Sequence, residues 1–312
     1  MKFALAMPIS EIHPKGEFQS GAAVREIAVA LERAGVSGAS LSEHPAPSSD
    51  WLHNDRTGHD ALDPFTGLAF AAAATTRLKV ITNVLVLPYR NPFLSAKAAA
   101  TLQIFSDDRL ILGVGVGYQK IEFDALGISF EQRGALTDEA LETIRLAWKG
   151  GAVLKQGMGF NAVGNEPRPI PATPPPIWVG GGSDKALERA ARWGDGWAPY
   201  FGNHASAIST KQSALGSMGQ LDEKVTRLKE MRDQMGRSNA FDIAVGSPFR
   251  PSSTSRSDAN QFIETARELQ SLGANWIWLK LPSPSRAAYL ETVAWFGEEI
   301  IASFDRDAPS MT

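Results

Sequence analysis

Eight times along this chain a short β-prone apolar run gives way to a stretch with helical spacing, and that alternation is the strongest constraint on its fold. Strands are predicted at 3–7, 39–42, 78–87, 110–114, 177–179, 197–199, 241–246 and 276–281. Helices are predicted at 22–34, 64–75, 92–105, 134–149, 184–193, 221–235, 259–272 and 285–303. Repeated βα units imply a parallel sheet, and eight is the number that closes a (β/α)8 TIM barrel. An open doubly wound sheet is the alternative. It carries a glycine-rich turn after its first strand, where this chain has only Gly16. Two connections exceed minimal loops. Residues 44–63 lie on the strand-to-helix side, where barrels build their sites, and 150–176 end in a proline-rich extended run. A third irregular stretch, 247–257, belongs to the same face as the first. No domain linker interrupts the alternation, so 1–312 are read as a single domain.

With 312 residues, 43% hydrophobic and 21% charged, the chain is long enough for a large core. A net charge of −3 gives no electrostatic reason to expect nucleic acid or an anionic membrane surface. It contains no cysteine, which excludes disulfides, thiolate metal sites and cysteine nucleophiles. No apolar run approaches the ~20 residues of a membrane span. The first residues carry too short an apolar run for a secretory signal, so the expected location is the cytoplasm. No His, Asp or Glu spacing suggests a metal site; His53 and His59 stand six apart in a loop.

The segment 176–200, PIWVGGGSDKALERAARWGDGWAPY, joins a strand to a helix through three glycines. Gly181, Gly182 and Ser183 then stand where bare backbone and a helix N-terminus present N–H groups to an anion such as phosphate. The same arrangement also serves as a tight turn with Ser183 as N-cap. Glu43-His44 ends the second strand, the position from which a barrel points side chains into its mouth. There the imidazole can act as acid or base, with an adjacent carboxylate to orient it, or simply bond to the loop backbone. Thr82 and Asn83 interrupt an apolar strand. They either face a ligand or form a polar layer within the core. In RLILGVGVGY (109–118), Gly113, Gly115 and Gly117 clear one face of the chain, against which a flat ring could lie. The spacing is neither a dinucleotide fingerprint nor a P-loop. Trp276 and Trp278 alternate on the last strand and are read as packing.

Taken together, these segments resemble the luciferase-like monooxygenase superfamily of flavin- and deazaflavin-dependent TIM barrels. The resemblance rests on Glu43-His44, VLPYRNP (86–92), RLILGVGVGY (109–118), EFDALGISFEQRG (122–134) and PIWVGGGS…RAARWGDGW (176–197). Arg133, Gly134, Asp138, Glu139 and Leu141 are most similar to its coenzyme F420-dependent branch. That resemblance implies His44 and Glu43 as catalytic residues beside the reactive ring. It implies a cis peptide at Asn83-Val84 backing the ring, Gly115, Gly117 and Tyr118 along the cofactor edge, and Gly181, Gly182 and Ser183 at its phosphate. One departure is Ser106-Asp107-Asp108-Arg109, where relatives usually show Ser-Gly-Gly-Arg, and its effect is expected at a turn away from the site.

The implied reaction is hydride transfer between C5 of F420 and a small organic substrate. An FMN-dependent monooxygenase is the alternative, and a non-catalytic barrel that binds such a ligand is a third. Arg90, Lys120, Arg133, Arg250 and Arg256 are the cations considered for the acidic F420 tail. Relatives imply a homodimer, for which the Ala-rich helices 64–75 and 92–105 offer apolar faces.

Overall fold

The computed structural model describes residues 1–10, 16–53, 60–201 and 214–306. Parallel strands β1 (Lys2–Ala6), β2 (Gly38–Leu41) and β3 (Lys79–Thr82) lie side by side. A two-residue strand β4 (Leu85–Val86) follows β3, and both pair with β5 (Leu110–Gly115). A hairpin of β6 (Val153–Gly157) and β7 (Phe160–Asn165) stands apart from the sheet. Strands β8 (Ile177–Gly180), β9 (Gly196–Ala198), β10 (Asp242–Gly246) and β11 (Trp276–Leu279) complete it. The strand order runs β3-β2-β1-β11-β10-β9-β8-β5, and the β3–β5 pairing joins its ends, so the sheet closes as an eight-stranded parallel barrel with β4 as a short branch.

Most of the helices around it begin on side chains the sequence supplies. Helix α1 (Gly21–Arg33) is capped by Ser20. A short α2 (Ser49–His53) lies in the connection after β2. Then α3 (Pro64–Ala73) and α4 (Pro92–Phe105) each open on a proline, behind Asp63 and Asn91 as N-caps. After β5 come α5 (Lys120–Ala125) and α6 (Arg133–Lys149), and Ser183 caps α7 (Asp184–Trp193). Serines 217, 255 and 285 cap α8 (Met218–Gln234), α9 (Arg256–Ser271) and α10 (Arg286–Trp295). Each capping side-chain oxygen takes an N–H that has no partner within its helix.

The barrel is plugged, not hollow. Trp178, Trp276 and Trp278 fill its interior with Ile81 and Ile111, beside Ala4, Ala198 and Ala244. Small residues make room for the large ones. A Cβ at Gly196 would lie 2.3 Å from Trp178, and one at Gly246 2.7 Å from Trp278. The tryptophans of the last strand are thus packing, as their alternation implies. The larger core lies outside the sheet, where Ile27, Leu31, Leu68, Leu187 and Phe262 from the helices meet the outward faces of the strands.

Three elements differ from the sequence expectation. The strand predicted at 78–87 is broken into β3 and β4, and the Asn83–Val84 peptide between them is cis, as the resemblance implies. The connection 150–176 contains the hairpin β6–β7, whose strands pair only with each other and so left little alternation to read. The helix expected over 285–303 passes from α10 through a π-helical segment, Phe296–Ile301, into α11 (Ala302–Arg306). At Gly297 a Cβ would meet Ala34 O at 2.6 Å, so α1 approaches the chain closely there.

Candidate functional site

In a closed parallel barrel every strand ends on the same rim. The ends of β2, β3/β4, β5 and β8, neighbours in the sheet, bring Glu43-His44, Asn83-Val84, Gly115 to Tyr118 and Gly181 to Ser183 onto one continuous arc.

Glu43 is 4% exposed. Its carboxylate accepts the Val86 N–H at 2.7 Å and Arg90 Nε–H at 3.0 Å, with a second close contact from the same guanidinium. Arg90 also reaches Asp63 Oδ2 at 3.1 Å, tying the rim to the start of α3. Burial pushes the Glu43 carboxyl above the usual carboxylate range, against the opposing pull of Arg90. For Asp63 burial is outweighed by the Thr66 N–H and Arg90, which hold it below that range.

The carboxylate at the imidazole of His44 belongs to Glu122 in α5, with His44 Nδ1 and Glu122 Oε2 3.1 Å apart. Glu122 is 1% exposed and accepts two further hydrogen bonds, from Tyr89 OH at 3.0 Å and Ala46 N at 3.3 Å. The Tyr89 phenol is pushed far up, first by burial and then by that carboxylate. Gln119 also lies 3.1 Å from His44 Nδ1, Tyr118 OH lies 3.5 Å from Nε2, and the Trp51 ring packs 4.4 Å from the imidazole. The adjacent carboxylate expected to orient His44 thus serves Val86 and Arg90, while one from 78 residues away meets the ring. Neither Glu122, Tyr89, Gln119 nor Trp51 was singled out in the sequence. Their signal was the EFDALG segment and the aromatic residues of the two rim loops.

Val84 sits between two bare backbones. A Cβ at Gly115 would lie 2.6 Å from its Cγ2, and one at Gly180 3.0 Å from its Cγ1. At Gly113 a Cβ would come within 2.0 Å of Thr82 O, and at Gly117 (φ +77°) it would meet Val86 and Phe123. The alternate glycines of β5 therefore admit the neighbouring strand and its break. The face they clear is occupied by Thr82, Val84 and Val86.

At the end of β8, Gly181 adopts φ +107°, Gly182 is buried, and Ser183 caps α7 through a 3.2 Å bond from Ala186 N. Trp197 Nε1 donates to Gly181 O at 2.8 Å and fixes the loop. Asp184, the first residue of α7, is paired with Lys224 at 2.8 Å and Arg227 at 3.0 Å from α8, which leaves the local balance positive. Of the cations considered earlier, Arg90 is engaged by Glu43 and Asp63, Lys120 by Asp124, and Arg133 stacks on Phe130. Arg250 and Arg256 are exposed. His53 is exposed at the end of α2, and His59 lies outside the described residues. Among the described residues no group of three His, Cys, Asp or Glu could hold a metal ion. No helix among them is long and apolar enough to cross a membrane.

This is a parallel (β/α)8 barrel whose polar groups gather where its strands end, on an arc from an imidazole to a helix N-terminus. The family model of the luciferase-like monooxygenases matches residues 1–261, and the chain belongs to that family. It is 34% identical over 188 residues to an uncharacterized protein of Mycobacterium tuberculosis, 60% of either chain. It is 32% identical over 219 residues to a protein of Gordonia bronchialis named F420-dependent glucose-6-phosphate dehydrogenase, covering 67% of this chain and 61% of the relative. The chain thus spans about 60% of the length of these curated relatives. Solved structures share the fold. A monooxygenase from Streptomyces bottropensis superposes with TM-score 0.79 at 18% identity, over 97% of this chain and 100% of the other. An F420-dependent secondary alcohol dehydrogenase does so with TM-score 0.74 at 17% identity, over 96% and 98%.

Proposed function

We propose that this protein is a cytoplasmic, single-domain oxidoreductase that binds coenzyme F420 and moves a hydride between the deazaflavin C5 and a small organic substrate. The observation carrying this reading is the common rim: an imidazole backed by a buried carboxylate lies on the same arc as a glycine loop that opens a helix. The chain's residues fit such a cofactor. Gly181, Gly182 and Ser183 would hold the phosphate, since the first N–H groups of α7 have no carbonyl before them. Lys224 and Arg227 offset Asp184 beside it. Asn83 and Val84 would back the ring system and Tyr118 would border it, with Gly115 and Gly117 behind Val84 and Val86. When bound, the deazaflavin accepts or gives the hydride; the protein's part is to orient it and move a proton. His44 is the acid or base, with Glu43 holding the strand end on which it sits.

Membership of the luciferase-like monooxygenases supports a second reading, FMN at the same rim. Two copies pairing through α3 and α4, where Phe70, Leu94, Ile104 and Phe105 are exposed, is the assembly we favour.

Titration of the purified protein with F420 and with FMN, followed by fluorescence quenching, tests the cofactor. Micromolar F420 affinity is expected. Ser183→Asp, which keeps a good N-cap but adds a carboxylate at the loop, should weaken it about tenfold or more. Micromolar binding of FMN alone would replace the deazaflavin with a flavin, and unchanged affinity in Ser183→Asp would remove the phosphate from this loop. His44→Ala should keep the cofactor and lose turnover. Turnover that survives this substitution would exclude His44, and a barrel with no turnover to lose is a carrier.

A further inference from the structure

Glu122 is the most deeply buried carboxylate at the rim, and the role given to His44 does not by itself require it. We propose that Glu122 is a positioning residue that fixes His44 in its Nδ1–H tautomer, so that Nε2, on the Tyr118 side, is the nitrogen that exchanges the proton. This rests on reading His44 as the acid or base.

The tautomer follows from counting protons along a short line of atoms. Nδ1 and Glu122 Oε2 are 3.1 Å apart, and one proton has to lie between them. If neither atom carried it, a lone pair would face a carboxylate with little water to separate them, an arrangement burial makes costly. Glu122 is placed as an acceptor, its oxygens already receiving Tyr89 OH at 3.0 Å and Ala46 N at 3.3 Å. The proton therefore belongs to Nδ1. The competing arrangement has the Gln119 amide donate to a bare Nδ1 from 3.1 Å. That bond is between neutral groups, and a charge-assisted N–H to carboxylate bond is roughly twice as strong. With Nδ1 protonated, Gln119 turns its amide oxygen toward the ring.

Isolated neutral histidine favours the opposite tautomer, so the protein reverses the intrinsic preference. The nitrogen left with a lone pair is Nε2, 3.5 Å from the hydroxyl of the partly exposed Tyr118. A proton given up by the substrate bonds to Nε2, and the imidazolium then stands against the Glu122 carboxylate. Its return regenerates the starting tautomer. The elements beside the ring bring further ionisable groups. Helix α2 packs against it through Trp51 and carries exposed Asp50 and His53. Glu43, its chain neighbour, is engaged by Arg90, which Asp63 also holds.

The test needs no cofactor. Two-bond 1H–15N correlation spectra of the uniformly labelled full chain, at a pH where the rings are neutral, report which ring nitrogen carries the proton. The His44 signals are assigned by their loss in His44→Ala. The unaltered protein should show Nδ1–H. Glu122→Gln, whose amide oxygen still accepts, should retain it, as should Tyr89→Phe, whereas Glu122→Leu should revert to Nε2–H. Nε2–H in the unaltered protein would overturn the proposal, and so would Nδ1–H persisting in Glu122→Leu. Should Glu122→Leu fail to fold, the unaltered protein and Glu122→Gln still decide. Failure of the cofactor titrations would leave the tautomer measurement standing, so the two readings fall separately.

Discussion

Replacing Arg90 by Met isolates the charge that the rim buries. Glu43 keeps one strong donor, the Val86 N–H at 2.7 Å, and loses a guanidinium that touches it twice. Removing one partner of a buried ion pair costs about 3–5 kcal/mol, because the other charge is stranded. Here the Glu43 side chain is 3% exposed but Arg90 is 30% exposed, so water already screens part of the pair. The expected loss at neutral pH is therefore nearer 2–3 kcal/mol, again an order-of-magnitude figure. Its pH dependence has a definite sign. Burial raises the Glu43 carboxyl above its reference value of 4.5, and loss of Arg90 removes an opposing effect, raising it further. A carboxyl raised on folding contributes stability that is complete below the unfolded value and is lost as pH rises through the folded value. The deficit of Arg90→Met should thus be small near pH 4 and grow toward neutrality. Adding Glu43→Gln, which can still accept from Val86, should recover about 1–2 kcal/mol and flatten the pH response. Urea unfolding of the four proteins of the cycle, each at acid and neutral pH, measures both quantities. Additive losses, or a deficit independent of pH, would show that Glu43 is not a stranded charge and that the rim is held otherwise.

Three further outcomes are expected. Asp107→Gly and Asp108→Gly should each stabilise the chain by roughly 0.5–1 kcal/mol in urea unfolding, because both residues sit at positive φ, 51° and 60°. A loss in either would mean that the aspartate side chain does more than occupy the turn. Gly113→Ala should cost roughly 3 kcal/mol or more, since its Cβ would lie 2.0 Å from Thr82 O, a backbone atom that cannot rotate away. A cost below 1 kcal/mol, on the same scale, would show that β3 shifts freely. Phe105→Glu, at a residue 73% exposed on α4, should leave the melting temperature nearly unchanged yet halve the sedimenting mass if two copies meet there.

The alternation of apolar runs and helical spacings was legible because every barrel strand is buried on both sides and every following helix needs a cap and an apolar stripe. Ser183 was read as a helix cap, and Ser20, Asp63, Asn91 and Ser285 cap other helices in the same way. The break at Asn83 was not, from residues alone. Leu78 through Leu87 has the composition of one strand, and only the close approach of Gly113, Gly115 and Gly180 shows where the chain leaves it. Gly113 and Gly115 were noticed but assigned to the face of a ring, because a sequence shows that a side chain is missing and not what stands in its place. Glu122 was missed for a simpler reason. It belongs to a six-residue helix too short to show a period, and its partner is 78 positions away.

The two ends of the rim divide the work a cofactor would ask of them. At β2 the charges are consumed locally: Glu43 by Val86 and Arg90, Glu122 by Tyr89, Ala46 and His44. Among the described residues, that end presents an imidazole edge beside Tyr118 and Trp51. At β8 the Ser183 hydroxyl is spent on Ala186, and what remains is the positive end of α7, its one acid doubly paired by Lys224 and Arg227. A ligand fitting both ends is asymmetric, with a flat, reactive, uncharged part and an anionic tail. The plug of Trp178, Trp276 and Trp278 closes the barrel beneath, so such a molecule lies along the rim. Its length would then be set by the arc from β2 to β8 and not by the depth of the barrel.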